Sequence, residues 1–285
     1  MNLIFIYDVF TSEKFKGNQA GVVFDNNSLK HEEKQNLAME LHFSETVFVS
    51  KLEKDIWKLE YFTPKEEIDL CGHATIAAIY ALFEEGKLGN NTSLDIQTKL
   101  GILKIYLEKK EEKLLAVWME QDQGQVVYDI VIPKEKIIKS LGLKMNDLHD
   151  EIPIFKAYSG LWDLMIPLNS KNSLNNIKID IHAVKSLSKQ LSVISFHPFY
   201  LNGTNAYVRN YAPIVDIPEE AATGTSNGAL TYVLEKLNLL KKDECLICHQ
   251  GELMQRSSLI LGKIRNNGRI LVGGKAIRVL KGIYN

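Results

Sequence analysis

The stretch Glu67-Ile68-Asp69-Leu70-Cys71-Gly72-His73-Ala74-Thr75-Ile76-Ala77-Ala78-Ile79-Tyr80-Ala81-Leu82 is answered further on by Glu219 to Leu234. Sliding the chain on itself by 152 positions pairs Glu67 with Glu219, Gly72 with Gly224, Ala77 with Ala229, Tyr80 with Tyr232 and Leu82 with Leu234. An aromatic-x-Pro turn precedes each copy, Phe62-Thr63-Pro64 and Tyr211-Ala212-Pro213. Shared helix composition accounts for some of these identities; an internal duplication accounts for all of them. Each copy runs from an acidic turn through a glycine into a helix start, where the first backbone N–H groups are unpaired and carry partial positive charge. Two such starts facing one cleft would clamp an anion. The first helix, read over 74 to 85, has a face of Ala74, Ala77, Ala78 and Ala81, which lets other backbone approach closely.

Outward from this pair the chain reads as an alternation of strands and helices. Strands are expected at 3 to 10, 20 to 24, 45 to 50 and 56 to 62, and two more between 92 and 119. An amphipathic helix is expected from Ser28 to Leu41, capped by Ser28 or Asn27. The polar run Gln121 to Tyr128 reads as a linker, which divides the chain into 1–122 and 123–275. In the second half, helices are expected at 134 to 141, 180 to 191 and 225 to 239. Strands there fall near 152 to 158, 161 to 167, 192 to 197, 204 to 211, 245 to 250, 257 to 264 and 269 to 280. The fold class is α/β, with helices and strands mixed along the chain.

Composition narrows the function. The 285 residues suit about two domains. Lys+Arg of 34 against Asp+Glu of 35 leaves a net charge of −1, too little field to hold a nucleic acid or an anionic membrane. Three cysteines, an odd number, form no disulfide framework and favour a reducing, cytoplasmic setting. The amino terminus lacks a basic start and a cleavage site, and the apolar run at 74 to 83 is about half of a bilayer span.

Three constellations could carry chemistry. In Asp69-Leu70-Cys71-Gly72-His73-Ala74-Thr75, the N–H groups after Gly72 could hold a carboxylate. The helix dipole should disfavour the His73 cation and leave a neutral imidazole able to pass a proton; a helix cap beside a packed histidine explains the same residues. In Glu219-Glu220-Ala221-Ala222-Thr223-Gly224-Thr225-Ser226, two adjacent carboxylates would raise each other's pKa in a dry pocket, whereas solvated glutamates beside an ordinary cap are the plainer account. Glu45, amid Phe43, Val47 and Phe48, is where burial could lift a carboxyl towards neutrality, as a general acid/base requires, although an edge-strand charge also fits. Cys245-Leu246-Ile247-Cys248-His249 matches a haem-attachment pattern in form, yet its alternation reads as a buried strand with its thiols on opposite faces. A metal site is not expected. With no phosphate loop, dinucleotide fingerprint or nucleophile elbow in the sequence, cofactor-free proton chemistry remains.

Asp8-Val9-Phe10-Thr11, Gly17-Asn18-Gln19-Ala20-Gly21-Val22, Ser44-Glu45-Thr46-Val47-Phe48, Tyr61-Phe62-Thr63-Pro64 and Asp69 to Thr75 resemble, in order, the signatures of the phenazine-biosynthesis isomerase (PhzF-like) family. Ala222-Thr223-Gly224, Gln250-Gly251 with Arg256, and Gly273-Gly274-Lys275-Ala276 are similar to its later ones. The resemblance implies the diaminopimelate-epimerase fold: two pseudo-symmetric domains, each a curved, mostly antiparallel sheet around a central helix, with the strand at 276–285 returning to the first. It implies an isomerase that shifts a proton along a conjugated system without cofactor or metal, on a small carboxylate-bearing, anthranilate-like substrate, in a homodimer. The proton-carrying glutamate falls on Glu45, with His73 and Glu220 as its catalytic companions. Substrate binding falls on Asn18, Gly72, Ala74, Gly224 and Thr225. Glu220 stands where the phenazine enzyme has Asp, and Thr225 where it has Ser. These departures put the phenazine substrate in doubt and leave a non-catalytic small-molecule-binding or interaction protein on the same fold as the alternative. A two-thiol epimerase would need a second cysteine where Thr225 stands.

Overall fold

The computed structural model describes residues 2–52 and 56–284. The chain divides into two compact units, Met1–Glu120 with Gly273–Asn285, and Gln121–Val272. In the first unit the strands are β1 (Asn2–Val9), β2 (Asn18–Phe24), β3 (Thr46–Lys51), β4 (Trp57–Phe62), β5 (Glu67–Ile68), β6 (Ser93–Thr98), β7 (Gly101–Lys110) and β8 (Lys113–Glu120). Its helices are α1 (His31–Leu41) and α2 (Gly72–Glu84). The second unit carries β9 (Gln125–Val127), β10 (Phe155–Tyr158), β11 (Trp162–Leu168), β12 (Ser195–Asn202), β13 (Asn205–Val208), β14 (Leu246–Gln250), β15 (Ser258–Ile264) and, at its end, β16 (Ile270–Gly274). Its helices are α3 (Lys134–Ser140), α4 (Lys171–Asn175), α5 (Ile181–Leu191) and α6 (Gly224–Lys236). The last strand, β17 (Ala276–Tyr284), pairs antiparallel with β1.

The strands of the two units repeat one pairing scheme. In the first unit β1–β2 is antiparallel, β2–β3 parallel, β3–β4 antiparallel, β4–β6 parallel and β6–β7 antiparallel. The second unit follows the same order through β10–β11, β11–β12, β12–β13, β13–β14 and β14–β15. A parallel neighbour needs a crossover, and helices supply it: α1 and α2 in one unit, α5 and α6 in the other. The helices α2 and α6 start 152 residues apart, the interval of the sequence echo. In each unit the strand pairing is therefore mixed, parallel at the two crossovers and otherwise antiparallel in this scheme.

Helix α2 is apolar all round, which marks a helix enclosed by protein. His73 to Leu82 are all buried, and β1, β2, β3, β8 and β17 pack against it. Its alanines keep the enclosing strands close, and Gly86, at φ +67°, ends it. Helix α6 is enclosed in the same way by β9, β10, β11 and β15. Outside these cores, α1 lays Leu37 and Ala38 on Val23, Phe48 and Phe62, while α3 and α5 bury Ile137, Ile138, Val184 and Leu187 against β11 and β12.

Several boundaries differ from the sequence reading. Helix α1 begins at His31 because Asp25 Oδ1 accepts the N–H groups of Ser28 and Leu29, at 2.8 and 3.2 Å, closing a turn where the helix was expected to start. The cap is Lys30, whose N–H donates to the Glu33 side chain at 2.8 Å. The expected linker contains β9, which pairs with β10. Three strands, β6 to β8, fill the span read as two, and a break after Gly274 splits the last expected strand into β16 and β17.

At Gly262 on β15 an added Cβ would strike Thr231 of α6, whose hydroxyl already donates to the Asn227 carbonyl at 2.7 Å. Gly262→Ala is expected to lower stability by about 1–3 kcal/mol in urea unfolding. The control Gly282→Ala, whose nearest neighbour would stand at 3.7 Å, should change it by less than about 0.5 kcal/mol.

Candidate active site

The chemistry of the first unit gathers where α2 begins. Cys71, in extended conformation (φ −139°, ψ 118°), precedes the helix and offers no side-chain cap. The first intrahelical bond joins Thr75 N to Cys71 O, and the N–H groups of Gly72, His73 and Ala74 precede it. The Thr75 hydroxyl also binds the Cys71 carbonyl, at 2.7 Å, and lies 2.7 Å from the Tyr61 hydroxyl, which ties the helix start to β4. Gly72 leaves room for Met119, whose Cε would stand 3.0 Å from an added Cβ.

Glu45 reaches this helix start from the residue before β3. Its carbonyl accepts the Gly21 N–H at 3.1 Å, so pairing with β2 fixes its backbone. Its Oε2 stands 3.2 Å from His73 Nε2, with the imidazole 7% and the carboxylate 20% exposed. Cys71 Sγ lies 3.4 Å from His73 Nδ1. Burial works against charge on all three groups. For Glu45 the cationic His73 and hydrogen bonds from His73, Ser44 and Cys71 prevail, and the carboxyl is held below the usual range. For His73 the negative charge offered by Cys71 and Glu45 prevails, and the imidazole is held well above its ordinary value. Burial pushes the Cys71 thiol up. These directions favour a Glu45 carboxylate facing a His73 imidazolium; the charge that Cys71 adds in support of His73 is present only when its thiol is ionised.

This reverses two expectations. Glu45 is not lifted towards neutrality and His73 is not neutral, because an anion at contact distance outweighs the partial charge of a helix end. Among the described residues, Glu45, Cys71 and His73 also hold ligand atoms within 4.8 Å of one another, as a metal site would need. An imidazolium has no lone pair to give a metal, so the ion pair and a bound cation are alternatives. Cys71 joins this cluster although the sequence reading gives it no role in the favoured chemistry; its place one residue ahead of a glycine at a helix start is the signal. Asn18 opens β2 opposite Val9, three residues before the Gly21 that anchors Glu45.

In the second unit, Glu220, Gly224 and Thr225 fall on one loop and helix start. Glu220 Oε2 accepts the Thr223 hydroxyl at 2.8 Å, and its carbonyl accepts Gln250 Nε2 at 2.9 Å. Gln250 Oε1 accepts both Thr223 N and Asn227 Nδ2, at 3.2 and 2.9 Å. The Thr225 carbonyl takes the Ser159 hydroxyl at 2.8 Å, and Gly160 lies under its methyl group. Gln250 is thus the organiser of this loop, a role that its position in a sequence motif did not reveal. Cys71, Cys245 and Cys248 form no disulfide; Cys248 is buried in β14, and His249 stacks on Tyr207 with ring centroids 4.6 Å apart.

The site defines a class by its geometry: a repeated sheet-and-helix unit that carries a carboxylate–imidazole pair at a buried helix start. The comparisons narrow the class to one family: residues 7–282 match the model for "Phenazine biosynthesis-like protein" (PhzC-PhzF), and the chain belongs to that family. An "Uncharacterized isomerase" of Deinococcus radiodurans is 35% identical over 286 residues, covering 96% of this chain and 92% of that protein. The crystal structure of a Bacillus anthracis phenazine biosynthesis protein of the PhzF family aligns with TM-score 0.87 and 29% identity over the whole of both chains. A hydroxyproline epimerase from Agrobacterium vitis shares the fold, with TM-score 0.65 and 11% identity over 99% of this chain and 90% of that one. Among the described residues no helix is long and apolar enough to cross a membrane.

The ion pair should be measurable without substrate. Glu45→Gln and His73→Asn are each expected to destabilise the protein at pH 7, with a coupling of about 1–3 kcal/mol in a double-mutant cycle. The linkage has a sign at each end. His73 is raised, so its contribution is full at low pH and is lost as pH climbs through its folded pKa. Glu45 is lowered, so its contribution is lost as pH falls through a value below 4.5. Urea unfolding at a series of pH values should show the coupling fading at both ends.

Proposed function

We propose that the protein is an isomerase that moves a proton between carbon atoms of a small carboxylate-bearing metabolite, with no cofactor taking part. The observation that carries this reading is the Glu45–His73 pair, 3.2 Å apart and largely shielded from water. Relatives named as isomerases support the reaction class.

The step follows from the charge states. The Glu45 carboxylate, already ionised, takes a proton from a substrate carbon that adjoins a conjugated system. The electron pair passes into that system, and Glu45, now a carboxylic acid, returns the proton at a second carbon. The His73 imidazolium holds the base ionised before the step and faces the negative charge as it spreads through the substrate, where a fixed cation in a dry site is worth far more than in water. Carboxylate holding is assigned to the N–H groups at the start of α2, around Gly72 and Ala74, and on the same physical ground to the start of α6, around Gly224 and Thr225. Asn18 is assigned to substrate contact. Glu220, engaged with Thr223, is assigned a role in shaping the α6 loop and its acidity. A homodimer in the cytoplasm is the expected state.

Candidate cyclic and dienoic carboxylates incubated in deuterated water should gain deuterium at carbon with the native protein. With Glu45→Gln this exchange should fall by at least about a hundredfold, the lower end of what a positioned acid/base supplies. Equal exchange by the variant would exclude Glu45 as the base, and binding without exchange in the native protein would make it a binding protein. The rate should hold steady to below the ordinary glutamate range on the acid side and fall on the alkaline side only above the ordinary histidine value, following the shifts of Glu45 and His73.

A further inference from the structure

Beneath the start of α6 lies a polar network that the proposed chemistry does not use. Asp163, on β11, is 1% exposed. Its Oδ1 accepts the Ser195 hydroxyl at 2.6 Å, while Oδ2 has no closed hydrogen bond. The hydroxyl of Ser226, the third residue of α6, is the other side chain that favours its ionised form. Asn210 Nδ2 stands behind both serines, 2.8 Å from Ser195 Oγ and 3.0 Å from Ser226 Oγ. With Asn210 occupying their lone pairs, the serine protons are free to point at Asp163. A buried carboxyl is thus tied to the first turn of a helix whose start has no side-chain cap.

We propose that Asp163 is a positioning residue: acting through Ser195 and Ser226, its carboxyl sets the geometry and the field of the α6 start, and its loss or gain of a proton tunes how strongly the N–H groups there hold an anion. The anion-holding part rests on the function proposed above; the control of the helix start does not. The physical reason is like-charge opposition. An ionised Asp163 offsets the partial positive charge of the helix end, and protonation restores that charge to an incoming carboxylate. By reciprocity, a bound anion must favour the protonated form.

The groups around Asp163 allow a clean readout. From β12 it faces Ser195 and, through Asn210, His197; from β10 its register partner is Ala157; from α6 it faces Ser226. Burial lifts the Asp163 carboxyl to about 6, against the pull of the two serines. Burial takes His197 down to about 4, so that imidazole stays neutral while Asp163 titrates. Glu220, reached through Asn227, Gln250 and Thr223, is the other carboxyl on the network.

The test follows the backbone amides of Gly224, Thr225 and Ser226 by NMR between pH 5 and 8, in native protein, Asp163→Asn and Ser226→Ala, with benzoate as the anion probe. Native amides should titrate with a midpoint near 6, and Asp163→Asn should abolish it. Ser226→Ala should leave the Asp163 carboxyl carbon titrating while the amides no longer follow, which keeps the test open if the Asn variant folds poorly. Native benzoate affinity should rise by about tenfold from pH 8 to pH 5.5 for each pKa unit by which benzoate raises Asp163. In Asp163→Asn it should be constant at the acid value. Amides that stay flat in the native protein, or titrate equally in Asp163→Asn, overturn the proposal, as does an unchanged benzoate pH dependence in that variant. Amides that titrate as expected without benzoate binding at any pH uphold Asp163 and overturn the anion-holding reading of α6.

Discussion

A helix enclosed on every side can meet polar chemistry only at its ends, and α2 is such a helix. His73 through Leu82 are buried, so the unpaired N–H groups of its first turn must be satisfied by loop, side chain or ligand. Cys71 occupies the cap position, where its thiol is at best a weak acceptor for the Ala74 N–H. What the fold brings to this turn is the Glu45 carboxylate, whose Oε2 faces the His73 imidazole at 3.2 Å. Parallel pairing of β2 with β3 fixes Glu45 at the strand's threshold, and the same sheet encloses the helix. Position of Glu45 and burial of the helix are consequences of one arrangement.

The second unit repeats the frame and changes the chemistry. Cys71-Gly72-His73 stands where Thr223-Gly224-Thr225 stands in the repeat, so an ionisable helix start is matched by a neutral one. Its supports are correspondingly neutral: Gln250, Asn227, Asn210, Ser195 and Ser226 form the network, with Glu220 and Asp163 at its ends. One start carries an ionisable pair and the other a set of neutral polar groups.

Much of this was legible in the sequence because it depends on spacing and side-chain volume. The interval between the copies located α2 and α6, the alanine face anticipated an enclosed helix, and Glu45 and His73 were singled out by residue type and apolar setting. What escaped depends on partners distant in sequence. The charge states of Glu45 and His73 were read from local context, namely burial and the helix end, whereas each is set by the other across the fold. The cap of α1 was misplaced because Asp25 claims the amides of Ser28 and Leu29. Asp163 looks like any strand-edge acid until β12, Asn210 and α6 close over it, and Gln250 looks like a strand terminus until its amide is seen to gather three parts of one loop.

The central claim is that a charged pair, and not a neutral one, waits at the start of α2. Neutron diffraction from a deuterium-exchanged crystal at neutral pH observes it directly. Deuterons on both ring nitrogens of His73, none on the Glu45 carboxylate and one on the Cys71 sulfur are the result this account predicts. A deuteron on Glu45 with a singly protonated His73 would contradict it.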